Sequence, residues 1–161
     1  MSVNMEQHCE CFEVPASIKE ELANYLLQYK GFDEGDIEFD LPLIVEVGGQ
    51  RLISNIDILV KVDGRPGMLV KIREGSVVSR ERGVIAAARL FFPDYIIPVC
   101  VQTNGEHFSI LDTVTKRLIG QSKEDLPSKD RLRARLQGVK KLPPKKRILE
   151  EKILYFYEAL G

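Results

Sequence analysis

The chain has 161 residues, of which 44% are hydrophobic and 29% are charged, and its formal net charge is −1. This profile is typical of one soluble globular domain with a sizeable core, and it excludes a membrane-spanning protein because no apolar run approaches roughly 20 residues. The N-terminus has no basic segment followed by an apolar one, and the three cysteines are an odd number. We therefore expect a cytoplasmic protein with reduced thiols and no membrane partner.

Charge is distributed unevenly along the chain. Residues 1–62 carry 12 acidic and 4 basic side chains, whereas residues 129–147 carry nine basic side chains and one acidic side chain. A basic segment of this size can concentrate polyanions such as DNA. The alternative is a solvated helix face followed by a flexible basic linker.

The first half of the chain predicts one helix and two strands. Residues 1–13 are expected to be a peripheral segment. Apolar residues at helical spacing over 18–29 predict an amphipathic helix, and alternation over 37–47 predicts a half-buried strand. A Gly-Gly turn leads from it into a second strand over 51–62.

The stretch 54–74 reads as two apolar strands joined by a turn at 63–67, because Asp-Gly and Pro-Gly are turn formers. Side chains alternate along a strand, so Asp57, Lys71 and Arg73 share one sheet face in either plausible register. One acid and two bases therefore converge on a mostly apolar hairpin.

A second helix is predicted over 80–92, where alanines permit close approach to a sheet. The apolar run 95–102 predicts a strand covered on both faces. An Asn-Gly turn then makes a hairpin into 107–112.

The composition changes beyond the core that we place at residues 14–127. The C-terminal part, 128–161, predicts a basic helix over 129–136 that carries Arg131, Arg133 and Arg135. A proline-containing linker and an amphipathic helix over 148–160 follow. Three arrangements are open for the last helix: packing on its own domain, pairing with a second copy, or docking on a neighbouring chain.

The order of helix, three antiparallel strands, helix, strand and hairpin resembles the restriction-endonuclease-like α/β fold. It is most similar to the N-terminal nuclease domain of type I restriction enzyme R subunits and its stand-alone relatives, and C-terminal helices follow the core. The resemblance covers roughly residues 14–127. It rests on the order and spacing of short motifs: Val14-Pro15, Ile18-Lys19, Asp57-Ile58-Leu59-Val60, Gly64-Arg65-Pro66, Leu69-Val70, Ala87-Ala88-Arg89 and Thr103-Asn104-Gly105.

The resemblance implies a Mg²⁺ site built from Asp57, a Glu-x-Lys on the next strand and a helical glutamate, for which Glu21 is the candidate. In such a site two carboxylates hold the metal, which polarises the scissile phosphate and activates a water. The lysine stabilises charge on the phosphate. This sequence has Lys71-Ile72-Arg73 in place of Glu-x-Lys, so a cation replaces the second metal carboxylate.

Charge counting predicts little or no Mg²⁺ binding at this position. Asp57, Lys71 and Arg73 sum to +1 without any metal, and repulsion between Lys71 and a divalent ion about 4 Å away is on the order of several kcal/mol. We therefore expect no cofactor. An active enzyme would need Asp57 to bind the metal with Glu74 or Glu38 as a substitute ligand, and Glu74 would need a bulge to turn inward.

Three functions follow as hypotheses. The first is a DNA-interacting domain that has lost cleavage, in which Arg73 and Lys71 contact backbone phosphates and the three arginines of the basic helix extend the footprint. The second is an active Mg²⁺-dependent endonuclease of the type I restriction class. The third is a non-catalytic interaction module whose last helix makes a homodimer or binds a restriction-modification subunit. A purely structural interpretation is that Asp57 is an ion-pair partner of the two bases.

Overall fold

A six-stranded mixed sheet separates two layers of helices in the computed structural model, which describes residues 16–160. The helices are α1 (Ala16–Tyr29), α2 (Glu81–Leu90), α3 (Lys129–Leu136) and α4 (Pro144–Leu160). The strands are β1 (Ile37–Val47), β2 (Gln50–Val62), β3 (Arg65–Ile72), β4 (Val99–Thr103), β5 (Phe108–Asp112) and β6 (Leu118–Gly120). The segment predicted as peripheral, residues 1–13, lies outside the described residues.

The strands lie in the sheet in the same order as in the sequence. β3 and β4 are parallel because α2 carries the chain back across the sheet between them, whereas the other neighbouring pairs are antiparallel. The predicted order of helix, three antiparallel strands, helix, strand and hairpin is present, and β6 is an additional short strand.

The two faces of the sheet carry separate hydrophobic cores. Met68 and Val70 of β3 point to the face covered by α1 and α3, where they share a core with Leu132. Leu69, which lies between them, points to the other face and shares a core with α2 and with Leu154 of α4. Alternation along the strand therefore separates the two helix layers.

The β2–β3 hairpin turns more tightly than the sequence predicted. The turn consists of Asp63 and Gly64, which have φ values of 53° and 80°, as a type I′ turn requires. β3 begins at Arg65, so the prediction of a turn over 63–67 was wrong. The register between the two strands shifts where β3 carries the extra residue Gly67, so that Pro66 lies opposite Lys61 inside the ladder.

Two further boundaries differ from the prediction because of proline. β4 begins at Val99 and not at residue 95, since Pro98 has no N–H to give to a ladder. The last helix begins at Pro144 and not at Ile148, because proline suits the first helical position, where no intrahelical N–H bond is needed.

Of the three arrangements open for the last helix, the structure shows α4 packed on its own domain. Gly83 of α2 allows the close approach, because a Cβ there would lie 2.9 Å from Cγ of Tyr157 in α4. Within residues 16–160, none of the helices combines the length and apolarity that crossing a membrane requires.

Candidate functional site

Asp57 lies at the point where β2 and β3 separate, and its side chain bridges the gap. Its Oδ2 accepts hydrogen bonds from the Ile72 N–H at 2.7 Å and from Nη1 of Arg73 at 3.2 Å. Its Oδ1 accepts a hydrogen bond from Nδ2 of Asn55 at 3.1 Å. The residue is 1% exposed. Both carboxylate oxygens are therefore engaged by groups of the protein itself.

Lys71 is 4% exposed and its amine bonds to a carboxylate of the C-terminal helix. Nζ donates to Oγ of Ser54 at 2.5 Å and also to Oε2 of Glu158. The Ser54 hydroxyl donates to the same Oε2 at 2.7 Å, and Nη2 of Arg73 lies 4.0 Å from Oε1 of Glu158. Lys71 and Arg73 thus converge as predicted, with Asp57 on one side and Glu158 on the other.

Burial and ion pairing act against each other in this cluster. Burial lowers the pKa of Lys71, and the Glu158 carboxylate only partly opposes that effect. Burial acts to raise the pKa of Glu158, but the Lys71 ammonium, the Ser54 hydroxyl and the Arg73 guanidinium together outweigh it, so this pKa lies below the usual value. We assign the charged pair at neutral pH, because Nζ has two oxygen acceptors and Oε2 of Glu158 accepts two donors.

Glu158 is a site residue that the sequence interpretation missed. It lies in the last turn of α4, where the negative end of the helix dipole disfavours a carboxylate. A glutamate at that position has no stabilising role within its own helix. This local mismatch is the signal in the sequence that could have indicated a distant cation as its partner.

The residues around Asp57 do not fit a divalent metal ion. With Glu158 included, the charges of Asp57, Lys71, Arg73 and Glu158 sum to zero, and not to the +1 counted from the sequence. Lys71 and Arg73 bring two positive charges to the cluster, and both oxygens of the aspartate are already hydrogen-bonded. Within residues 16–160, no three His, Cys, Asp or Glu side chains are grouped so that they could hold a metal.

The structure does not bring the other predicted carboxylates to this cluster. Glu21 lies on α1, which covers the opposite face of the sheet, and it lines a separate cleft with Thr103. Glu38, a predicted substitute ligand, pairs with Lys61. Glu74 follows the end of β3 and is exposed.

The three arginines predicted to extend a DNA footprint also lie on the opposite face, because α3 packs on the core that α1 covers. Arg133 pairs with Asp63 at 3.0 Å, and Arg135 pairs with Asp112 at 3.0 Å. Arg131 is exposed. The structure thus separates these residues from Lys71 and Arg73, and two of them pair with aspartates, one in the β2–β3 turn and one at the end of β5.

A second buried cluster, also not predicted, connects α4 to α2. Nη2 of Arg82 and Nη1 of Arg89 each donate to Oε2 of Glu150 at 2.8 Å. Arg89 also donates to the carbonyl oxygens of Thr113 and Val114 at 3.0 Å. Burial acts to raise the pKa of Glu150, but the two guanidinium groups outweigh it and hold the pKa below the usual value.

Comparisons with known proteins show the family and a similar fold. Residues 16–127 match the sequence family described as the type I restriction enzyme R protein N terminus (HSDR_N). The solved structure of a fragment of an HsdR subunit of a type I restriction enzyme from Vibrio vulnificus YJ016 superposes with a TM-score of 0.57 at 18% identity. That match covers 76% of this chain and 25% of the other. No curated protein matches this chain.

Proposed function

Because this chain belongs to the family of type I restriction enzyme R protein N termini, as its sequence resemblance predicted, we propose that it is a non-cleaving member of that family. In this proposal the domain keeps a restriction-endonuclease-like core and acts by binding DNA through backbone phosphates. Hydrolysis of DNA is lost.

One observation carries the proposal. The Lys71 ammonium, bonded to Ser54 and Glu158, occupies the strand position at which the resemblance implies the second metal carboxylate. An ammonium repels a divalent ion and offers it no lone pair, so it removes both the charge and the ligand that hydrolysis through Mg²⁺ requires. The neighbouring Asp57 is engaged by Ile72, Arg73 and Asn55.

DNA binding without cleavage is supported by exposed cations. Lys140, Lys141, Lys145 and Lys146 are exposed where α4 begins, and Arg131 is exposed on α3. Such residues contact phosphates independently of base sequence. Since this chain corresponds to a quarter of the matched HsdR chain, a place within a larger restriction-modification assembly is part of the proposal.

A cleavage assay tests the loss of hydrolysis. Supercoiled plasmid incubated with the wild-type chain and Mg²⁺ or Mn²⁺ is expected to stay uncut. The Asp57→Ala variant tests the alternative of an active enzyme, and Asp63→Ala, an exposed aspartate of the same hairpin, is the matched control. The proposal would be overturned if the wild type nicks the plasmid, Asp57→Ala abolishes that nicking and Asp63→Ala does not.

A binding assay tests the DNA contact. In metal-free buffer, fluorescence anisotropy of a labelled duplex should show binding that falls steeply with salt, by roughly 0.9 in the log–log slope for each phosphate contacted. Replacing Lys145 and Lys146 by Ala should reduce that slope. Replacing Arg51, an exposed cation of the β1–β2 hairpin, should leave it unchanged. A wild-type chain that gives flat curves for all duplexes would contradict DNA binding.

A protein-interaction function is the second candidate, favoured by an apolar outer stripe on α4. Ile148, Leu149 and Phe156 are 61%, 55% and 58% exposed. Light scattering over a range of protein concentrations would show association, and Leu149→Ser should abolish it if this stripe forms the contact. A monomer at all concentrations would argue against a homodimer.

A further inference from the structure

The groups that hold the Glu158 carboxylate are the groups that proteins use to hold phosphate. Oε2 accepts hydrogen bonds from the Lys71 ammonium and the Ser54 hydroxyl, and Oε1 faces the Arg73 guanidinium. An ammonium, a hydroxyl and a guanidinium around two oxygens form a cradle for an oxyanion. The Glu158 carboxylate thus stands where one face of a phosphate group would fit.

A cavity beside this cradle contains a further donor. Its volume is about 20 Å³, and Lys71, Arg73, Gln102 and Glu158 contribute to its lining. That space holds roughly one water molecule, so a phosphate group could enter only by displacing the carboxylate. Gln102 is 2% exposed, and its Nε2 has no hydrogen-bond partner among the described residues.

The charge balance favours an anion over a cation in this position. Lys71 and Arg73 supply two positive charges and Asp57 supplies one negative charge, so the Glu158 carboxylate brings the cluster to neutrality. A phosphodiester carries the same single negative charge and can replace the carboxylate without a net change. A divalent cation in the same place would add two positive charges to the cluster.

The last turn of α4 is the part of the helix that can yield. Helix ends fray more easily than helix centres, and the helix dipole disfavours Glu158 at this end. The side chain of Glu158 is 18% exposed, so solvent and ligands reach it. The turn is held by the Lys71 pair and by Tyr157, which packs on Gly83.

We propose that Glu158 is an internal occupant of an oxyanion site formed by Lys71, Ser54 and Arg73. A phosphate oxyanion, free or in a DNA backbone, takes its place when the last turn of α4 moves away. The choice of phosphate as ligand rests on the function proposed above, whereas the cradle and its occupant follow from the geometry. The C-terminal helix thereby limits access to the site.

The first experiment compares four versions of the 161-residue chain: wild type, Glu158→Gln, Glu151→Gln and the double variant Glu158→Gln/Lys71→Met. Glu151 is the matched control, because it lies on the same helix and pairs with Arg147 one turn away. Isothermal titration calorimetry measures the affinity of each chain for inorganic phosphate in one arm and for a short DNA duplex in the other. Both arms use buffer without metal.

Glu158→Gln is expected to bind phosphate about tenfold more tightly than the wild type, the order of magnitude of one charge-assisted hydrogen bond. Glu151→Gln should bind like the wild type, and the double variant should lose the gain. Equal affinity of Glu158→Gln and Glu151→Gln for both ligands would overturn the inference. A gain with phosphate alone assigns the site to free phosphate, and a gain with both assigns it to the DNA backbone as well.

A second measurement needs no variant at Glu158. Saturating phosphate added to the wild-type chain should raise amide hydrogen exchange in residues 155–160 and leave exchange in the middle of α4 unchanged. Phosphate binding with unchanged exchange in the last turn would contradict displacement, and so would the absence of phosphate binding.

The two proposals fail in different ways. A wild-type chain that binds DNA, together with a Glu158→Gln variant that gains no affinity, removes this inference and leaves the proposed function. A wild-type chain that does not bind DNA, together with a Glu158→Gln variant that gains phosphate affinity, removes DNA binding and leaves the oxyanion site.

Discussion

Two carboxylates of α4 hold that helix to the rest of the fold, and they differ in what they hold and how firmly. Glu150 is 2% exposed and accepts hydrogen bonds from Arg82 and Arg89. Glu158 lies in the last turn, is 18% exposed, and pairs chiefly with Lys71. The first connects α4 to α2, and the second closes the candidate site.

The two clusters differ in which partners their cations keep when the carboxylate is lost. A guanidinium stays charged in proteins, so removing Glu150 leaves positive charge without its counter-ion in a mostly buried place. The ammonium of Lys71 keeps the Ser54 hydroxyl as an acceptor when Glu158 leaves, and the Asp57 carboxylate still acts to raise its pKa. Opening the Glu158 pair therefore requires less free energy than opening the Glu150 pair, as a releasable contact requires.

The largest effect is expected for Glu150→Gln. It should lower the free energy of unfolding by about 3 kcal/mol, at the lower end of the range for a broken buried ion pair because Arg82 is partly exposed. Urea denaturation measures this change. Glu151→Gln, one position further along the helix, should change stability by less than about 0.5 kcal/mol. Equal losses of unfolding free energy in the two variants would show that the ion pairs of Glu150 with Arg82 and Arg89 do not stabilise the fold.

Gly83→Ala should loosen the last turn of α4 and leave the contact at Glu150 intact. A helical Gly→Ala change ordinarily stabilises by about 1 kcal/mol, but here the new Cβ would lie 2.9 Å from Cγ of Tyr157. We expect a net loss of about 1–2 kcal/mol, because overpacking outweighs helix propensity. Hydrogen exchange should rise in the last turn of α4 and stay low around Glu150. Gly138→Ala is the control, since a Cβ there would meet nothing within 4 Å.

Glu158→Gln should cost less than the change at Glu150, about 1–2 kcal/mol by urea denaturation. Lys71→Met should cost still less, because the Glu158 side chain that remains can turn towards solvent. If Glu158→Gln lowers the free energy of unfolding as much as Glu150→Gln or more, then Glu158 holds α4 no less firmly than Glu150 does.

The smallest effect concerns pH. The pKa of Glu158 is lower in the folded chain than in the unfolded chain, where a glutamate has a pKa of about 4.3. Its stabilisation is therefore complete above that value and is lost as the pH falls through the lower folded value. The stability difference between the wild type and Glu158→Gln should be constant from about pH 7 to 5 and should shrink below about pH 4. A difference that stays constant down to pH 3 would contradict the pairing with Lys71.

The sequence predicted much of the framework because the relevant signals are local. Alternation in the strands, helical spacing in α1 and the turn residues Asp63-Gly64 each act over a few neighbours along the chain. The element order and the convergence of Lys71 and Arg73 with Asp57 followed from these signals, whereas the family followed from the resemblance in the order and spacing of short motifs. Short-range backbone preferences also explain the boundary errors, since proline shortened β4 and lengthened α4.

The amino-acid sequence by itself determined that the cation Lys71 shares a hairpin with Asp57, because a tight turn joins two strands whose side chains alternate. Only the tertiary structure decided what that cation pairs with, because Glu158 lies 87 residues further along the chain. Tertiary structure likewise placed Glu21 and the arginines of α3 on the face opposite this pair. Contacts between distant segments depend on how whole helices pack on the sheet, and no local pattern encodes that packing.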